Sequence, residues 1–285
     1  MVAALRKLGV MADPLRELRR PVVLAAFEGW NDAADAATEV INHLSISYPT
    51  EDAWALDSDD YYDLQLTRPR VEIGESGREI HWPTTQVAVC HLPERDLVLV
   101  WGPEPNLRWR GFANALVSCF LSVEPEYVIV LGAMLTECPH TRALPVSATS
   151  PDPVLALSLG LASPSYEGPT GIAGVLADAC YRSGKLPTIS LWASVPHYVS
   201  NSPNPMATLA MLHEINDLLE LELQLGELPL LARRWQEGVN ELTCDDPDIA
   251  EYVATLEVEQ DSDLEAGAGD AIAAEIQRYL RRRKR

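Results

Sequence analysis

Residues 21–38 read Pro21-Val22-Val23-Leu24-Ala25-Ala26-Phe27-Glu28-Gly29-Trp30-Asn31-Asp32-Ala33-Ala34-Asp35-Ala36-Ala37-Thr38. The apolar run ending at Phe27 is too short for a helix and reads as a buried strand. Gly29 supplies a turn, and Asn31 or Asp32 can cap the helix that follows by accepting its free N–H groups. The four alanines give that helix small faces, so it can lie close against a sheet. A strand-to-helix turn with Glu, Trp, Asn and Asp at its tip sits where open α/β sheets place ligands.

Outward from this unit the chain alternates strand and helix. Trp54–Leu56, Asp96–Trp101, Tyr127–Leu131 and Thr188–Trp192 read as strands; the first helix ends near His43, and others cover Trp109–Leu121 and Thr170–Tyr181. The alternation predicts parallel strands covered on both faces. Asp57–Pro83 differs in texture. Tyr62–Leu66 and Arg70–Ile73 alternate apolar and polar side chains, Gly74–Gly77 turns, and Arg78–Trp82 returns, which predicts a β-hairpin outside the central sheet. Thr136–Gly168, rich in Pro and Ser, reads as irregular. From Pro205 the pattern is helical only, with an apolar face of Leu209, Leu212, His213, Ile215, Leu218, Leu219 and Leu223, then helices around Pro229–Leu242, Pro247–Leu256 and Asp270–Leu280. Three regions are expected: a lead-in over 1–20 with Asp13 capping one or two helical turns, an α/β domain over 21–225, and an acidic helical extension over 226–285. Gly267-Ala268-Gly269 reads as a linker before the last helix.

The formal charge is −20 over 285 residues. This argues against specific nucleic-acid binding or an anionic membrane and suits basic partners. Residues 201–270 hold 17 Asp or Glu against 2 Arg, a balance of −15, before Arg278 and Arg281–Arg285 reverse the sign. That basic end suits docking on nucleic acid or an acidic protein surface, or folding back on the acidic helices of its own trimer or dimer, the last favoured because that surface is tethered nearby. Five widely spaced cysteines without a CxxC pair fit reduced thiols in the cytoplasm. Neither a secretory h-region nor a run long enough to span a membrane is present in the sequence.

Candidate chemistry gathers at the expected strand ends. Glu28, Asn31 and Asp32 are suited to acid/base or metal work, or simply to a helix cap with carboxylates at its positive end. Trp30 is a recognition side chain or a plug at the core edge. After the third strand, Thr136-Glu137-Cys138-Pro139-His140-Thr141-Arg142 offers a thiol, an imidazole and a cation, but residues two apart rarely form a Cys–His pair, and a surface loop is the plainer expectation. Glu167 and Gly168-Pro169-Thr170-Gly171-Ile172-Ala173-Gly174 lead into a helix whose N–H groups can cradle an anion, although glycines for close packing explain them as well. His197 ends a strand as a site residue or a core histidine. With no GxSxG elbow, HExxH motif or zinc spacing, the sequence assigns no catalytic set, metal or cofactor.

The string Phe27–Thr38, with Val130-Leu131-Gly132-Ala133-Met134-Leu135, Tyr166-Glu167-Gly168-Pro169-Thr170-Gly171-Ile172 and Leu191-Trp192-Ala193-Ser194-Val195-Pro196-His197-Tyr198, resembles the proteasome assembly chaperone family, type 2 branch. The four strings occur in order over most of residues 20–225, and the acidic C-terminal part is similar to the longer actinobacterial members. The resemblance implies a three-layer α/β/α sandwich like the phosphorylase/hydrolase-like fold, with a hairpin excursion and a helical C-terminal extension. It implies a homo-oligomer, a trimer favoured, and a non-enzymatic role toward proteasome core subunits. Members that engage α-rings carry a hydrophobic-Tyr-any tail, whereas Arg283-Lys284-Arg285 stands here and Tyr279 lies further in. The alternative is a small-molecule protein, binding an anion or nucleoside-like ligand or acting as a hydrolase or phosphorylase, that uses the sheet edge around Asn31, Thr136 and Gly171.

Overall fold

The structure, a computed structural model, describes residues 14–56, 59–74 and 77–262. Its centre is strand β1 (Val22–Glu28), buried from Val22 to Phe27. Seven strands form one sheet in the order β2 (Thr50–Leu56), β5 (Thr85–His91), β6 (Asp96–Pro103), β1, β7 (Tyr127–Thr136), β9 (Thr188–Pro196), β8 (Val146–Thr149). The central four, β6, β1, β7 and β9, are parallel. Both flanks are antiparallel, β2 and β5 on one side and β8 on the other, so the sheet is mixed rather than parallel throughout. Strand β2 ends the sheet on its side, and its register shifts between Asp52 and Trp54.

Alternate residues of β1 feed two cores, as a strand's period of two requires. Val22, Leu24 and Ala26 pack with helices α1 (Ala36–Ser47) and α5 (Pro205–Leu219), while Val23, Ala25 and Phe27 pack with α2 (Trp109–Val123) and α4 (Ile172–Arg182). The result is three layers, α/β/α, as the sequence implied. The expected stripe on α2 is present: Phe112, Leu116, Val117 and Phe120 are buried. On α5 the buried stripe is Ala207, Thr208, Met211, Leu212, Ile215 and Leu219, and His213 is exposed because it lies about 100° round the helix from Leu212.

Several expectations need correction. Tyr62–Leu66 is not a strand; Asp63 closes a turn by accepting from the N–H groups of Leu66 and Thr67, at 2.9 and 2.8 Å. Strand β5, absent from the sequence reading, pairs with β6. The segment Thr136–Gly168 holds β8 and a short helix α3 (Pro153–Leu159), whose N-cap Asp152 accepts from Val154 and Leu155. The predicted hairpin is present as β3 (Arg70–Gly74) and β4 (Gly77–His81), a separate two-stranded sheet. Helix α6 (Leu228–Cys244) and helix α7 over residues 247–262 follow α5. Asp13, the Gly267–Gly269 linker, the helix expected over 270–280 and the basic end lie outside the described residues. Among the described residues, no helix is long and apolar enough to cross a membrane.

The Phe112 ring meets Phe27 edge-on at 5.6 Å and Tyr61 at 5.4 Å. Phe112→Ala is expected to lower unfolding free energy by about 3–5 kcal/mol, read by urea denaturation, because a fully buried ring leaves a cavity among aromatic neighbours.

Candidate functional site

All the candidate residues lie at the C-terminal side of the parallel strands. There the connections from β1 and β6 leave on opposite faces of the sheet, the arrangement that opens a crevice in doubly wound folds. The residues fall into two groups.

The first surrounds the tip of β1. Asp32 is buried, and its carboxylate accepts from the N–H of Ala37 at 2.6 Å, from that of Thr38 at 3.1 Å and from the Thr38 hydroxyl. It therefore caps α1 from several residues upstream. Ala34 and Asp35, with φ of 54° and 55°, fold the chain back tightly enough to permit this. Burial raises the Asp32 pKa to about 6, against those hydrogen bonds. Asn31 is also buried; its carbonyl accepts from Ala133 N–H at 2.8 Å, and its Nδ2 donates to Glu104 Oε1 at 2.6 Å. Glu104 Oε1 also accepts from Ile172 N–H at 2.8 Å, at the start of α4. The helix entrance that the sequence offered to an anion thus holds the chain's own carboxylate. Gly171 is required there, since a Cβ would collide with the Asn31 amide. Thr170 and Glu167 are exposed on the loop leading in. Trp30 is 65% exposed, so it is not a plug of the core edge. Burial also raises the pKa of Glu28; Arg70 opposes the shift and Asp35 adds to it. Glu28 lines a cavity of about 610 Å³ with Arg70, Thr38, Glu39 and Trp101.

The second group follows β7 and β9. Thr136 donates to Cys138 Sγ at 3.3 Å, and burial raises the thiol's pKa, which disfavours a thiolate. His140, read as part of a surface loop, is fully buried. Its backbone N–H donates to Tyr198 Oη at 2.9 Å, leaving the phenolic proton for His140 Nδ1 at 2.8 Å. Nε2–H then donates to Asn240 Oδ1 at 3.0 Å, so both ring nitrogens are occupied by partners other than Cys138. Burial lowers the His140 pKa and raises that of Tyr198 to about 12, so both groups are neutral. His197 is exposed; its ring meets Tyr198 and Tyr252 edge-on at 5.7 and 5.6 Å. Arg142, a candidate anion binder, is already paired with Asp261 at 3.0 Å and Glu257 at 3.3 Å on α7. Glu137 is exposed beside them in sequence. Sequence reasoning missed Glu104, Tyr198 as a hydrogen-bonding group, Asn240 and Tyr252. The one available signal was Tyr198 directly following His197.

A family model described as the PAC2 family matches residues 26–243. The chain belongs to the PAC2 family. A PAC2 family protein of Streptomyces avermitilis is 50% identical, covering 82% of this chain and 99% of its own, with a TM-score of 0.78. A proteasome-assembly chaperone homologue of Mycobacterium tuberculosis is 42% identical, covering 81% and 99%, with a TM-score of 0.74. PbaA of Pyrococcus furiosus, an archaeal homologue of proteasome-assembly chaperone, is 16% identical over 88% and 98% with a TM-score of 0.58, a likeness of fold alone. No curated protein matches the chain.

The PAC2 match ends within α6, which already holds His140 through Asn240 and, by Gln236 Nε2 to the His140 carbonyl at 2.9 Å, the loop itself. Helix α7 lies beyond the match and is fastened to the same loop. Thr141 donates to Glu257, Arg142 pairs with Glu257 and Asp261, and Gln260 Nε2 donates to the Ala143 carbonyl at 3.0 Å. Val253 and Leu256 are its buried apolar residues.

Two outcomes are expected. A carboxyl whose pKa is raised by folding contributes stability below its unfolded value near 4 and loses it as pH rises through about 6. Asp32→Asn should therefore flatten the fall in stability between those pH values by about 2 kcal/mol relative to wild type, in urea melts across pH 4–7. Arg142→Ala should speed hydrogen exchange in residues 247–262 and leave β1 unchanged; high salt should do the same to the wild type.

Proposed function

We propose that this PAC2 family member is a non-enzymatic, oligomeric interaction protein of the cytoplasm that assists assembly of the proteasome core particle. The observation that carries the reading is the 42% identity, over 81% of this chain, to a protein described as a proteasome-assembly chaperone homologue. The sheet edge supports a protein partner over a small anion. Its helix entrance is filled by Glu104, and its exposed members include Trp30, Met134 and Leu135, large apolar side chains that suit a protein surface. The negative charge of the whole chain favours a partner with basic patches.

The test is a pull-down of the tagged full chain from its own cytosol with mass spectrometry, paired with deletion of its gene. Proteasome α or β subunits should be recovered, and core particles should accumulate as incomplete forms in the deletion. Recovery of the protein without those subunits, together with unchanged core assembly, would overturn the reading.

A further inference from the structure

The turn Leu92–Arg95 joins β5 to β6 and is closed by the Leu92 N–H, which donates to the Arg95 carbonyl at 3.0 Å. It leaves the Arg95 side chain only 3% exposed. A buried guanidinium needs acceptors for its N–H groups. Arg95 has one carboxylate, that of Glu126, whose Oε2 lies 3.3 Å from its Nη1 and 3.4 Å from Nη2 of Arg20. Two cations thus share one oxygen, and among the described residues Nε and Nη1 of Arg95 have no hydrogen-bond partner. Burial works against the charge on Arg95, Glu126 supports it, and Arg20 opposes it again. The pair of arginines is short of one acceptor.

Room for that acceptor adjoins them. Arg20, Arg95 and Glu126 line a cavity of about 760 Å³ at the N-terminal end of the parallel strands, the end opposite the candidate site. One wall is aliphatic and half-buried, made of Val146 on β8, Leu159 and Leu161 at the end of α3, and Leu218 on α5. Glu94, Glu214, Asp217 and Glu220 line the cavity too. Asp217 and Glu220 are exposed at the C-terminal end of α5, whose carbonyls add negative potential. These carboxylates repel phosphate or any other bare anion. A molecule that carries an ammonium as well as a carboxylate suits both arginines and acids.

We propose that this cavity binds a zwitterionic aliphatic ligand, a free apolar amino acid or a short apolar peptide with both ends uncapped. Its carboxylate accepts from Arg95 and Arg20, its ammonium faces Asp217 and Glu220, and its side chains lie on the aliphatic wall. The site is separate from the sheet edge, and its occupation does not depend on any encounter with a proteasome. Titration calorimetry of the full chain with leucine and with leucyl-leucine tests it. At least one probe should bind, and the tighter of the two tells free amino acid from peptide. The N-acetyl and C-terminal amide forms of that probe each lack one charge and should bind about tenfold or more weakly. Glycine or glycylglycine, with both charges and no aliphatic group, should bind as poorly as these. Arg20 and Asp217 are exposed, so replacing them spares the fold. Arg20→Gln should weaken the free probe by a similar factor and leave its amide unaffected; Asp217→Asn should weaken the free probe and leave its N-acetyl form unaffected. No binding of either probe at about 10 mM, capped forms that bind as tightly as the free one, or affinities that neither substitution changes would overturn the proposal.

Discussion

The Glu104 carboxylate is the knot on which the strand ends depend. It accepts from the Asn31 amide at the tip of β1 and from the Ile172 N–H at the start of α4, and so joins two segments that the sheet alone would leave side by side. Asn31 is buried, and the bond from its Nδ2 to Glu104 fixes the amide's orientation, while its Oδ1 has no hydrogen-bond partner among the described residues. That amide in turn allows only a glycine at 171, and the Asn31 carbonyl carries the Ala133 N–H beyond the last regular pair of β1 and β7. A crevice common to doubly wound sheets is thereby closed from within by side chains of the same polypeptide.

The C-terminal helices extend the same logic outward. His140 is neutral, buried and held between Tyr198 and Asn240, so the loop after β7 is fixed by hydrogen bonds that carry no net charge. Helix α7 is held differently, by partly exposed ion pairs to Arg142 and a short apolar strip. Neutral buried contacts are insensitive to salt and exposed pairs are not, so the two helices attached to one loop differ in their response to ionic strength.

How far the fold was legible depended on how local its causes were. The β1 tip could be read because its apolar run, turn glycine and capping Asp32 are contiguous, and the stripe of α2 because 3.6-residue periodicity is written in Phe112, Leu116 and Phe120. Tyr62–Leu66 misled because its alternation is genuine, yet Asp63 offers the backbone a turn that outcompetes pairing. Strand β5 reverses into β6 through Leu92–Arg95 without a glycine, and Pro93 alone was too weak a signal to mark the hairpin. The site was half legible: Asn31, Asp32 and His140 stood out by type. Their partners did not, since Glu104 sits 73 residues from Asn31 and Asn240 sits 100 from His140, distances at which no short pattern survives.

Strand β2 closes the sheet on the side away from β8 and so forms one of its two rims. Glu51 and Asp52 are exposed on that rim, and the register slip between Asp52 and Trp54 bends the strand out of a flat line. An incoming strand would meet two carboxylates and a broken hydrogen-bond spacing, the features that keep sheets from fusing edge to edge. The β2 rim is thus built against fusing with the rim of another sheet.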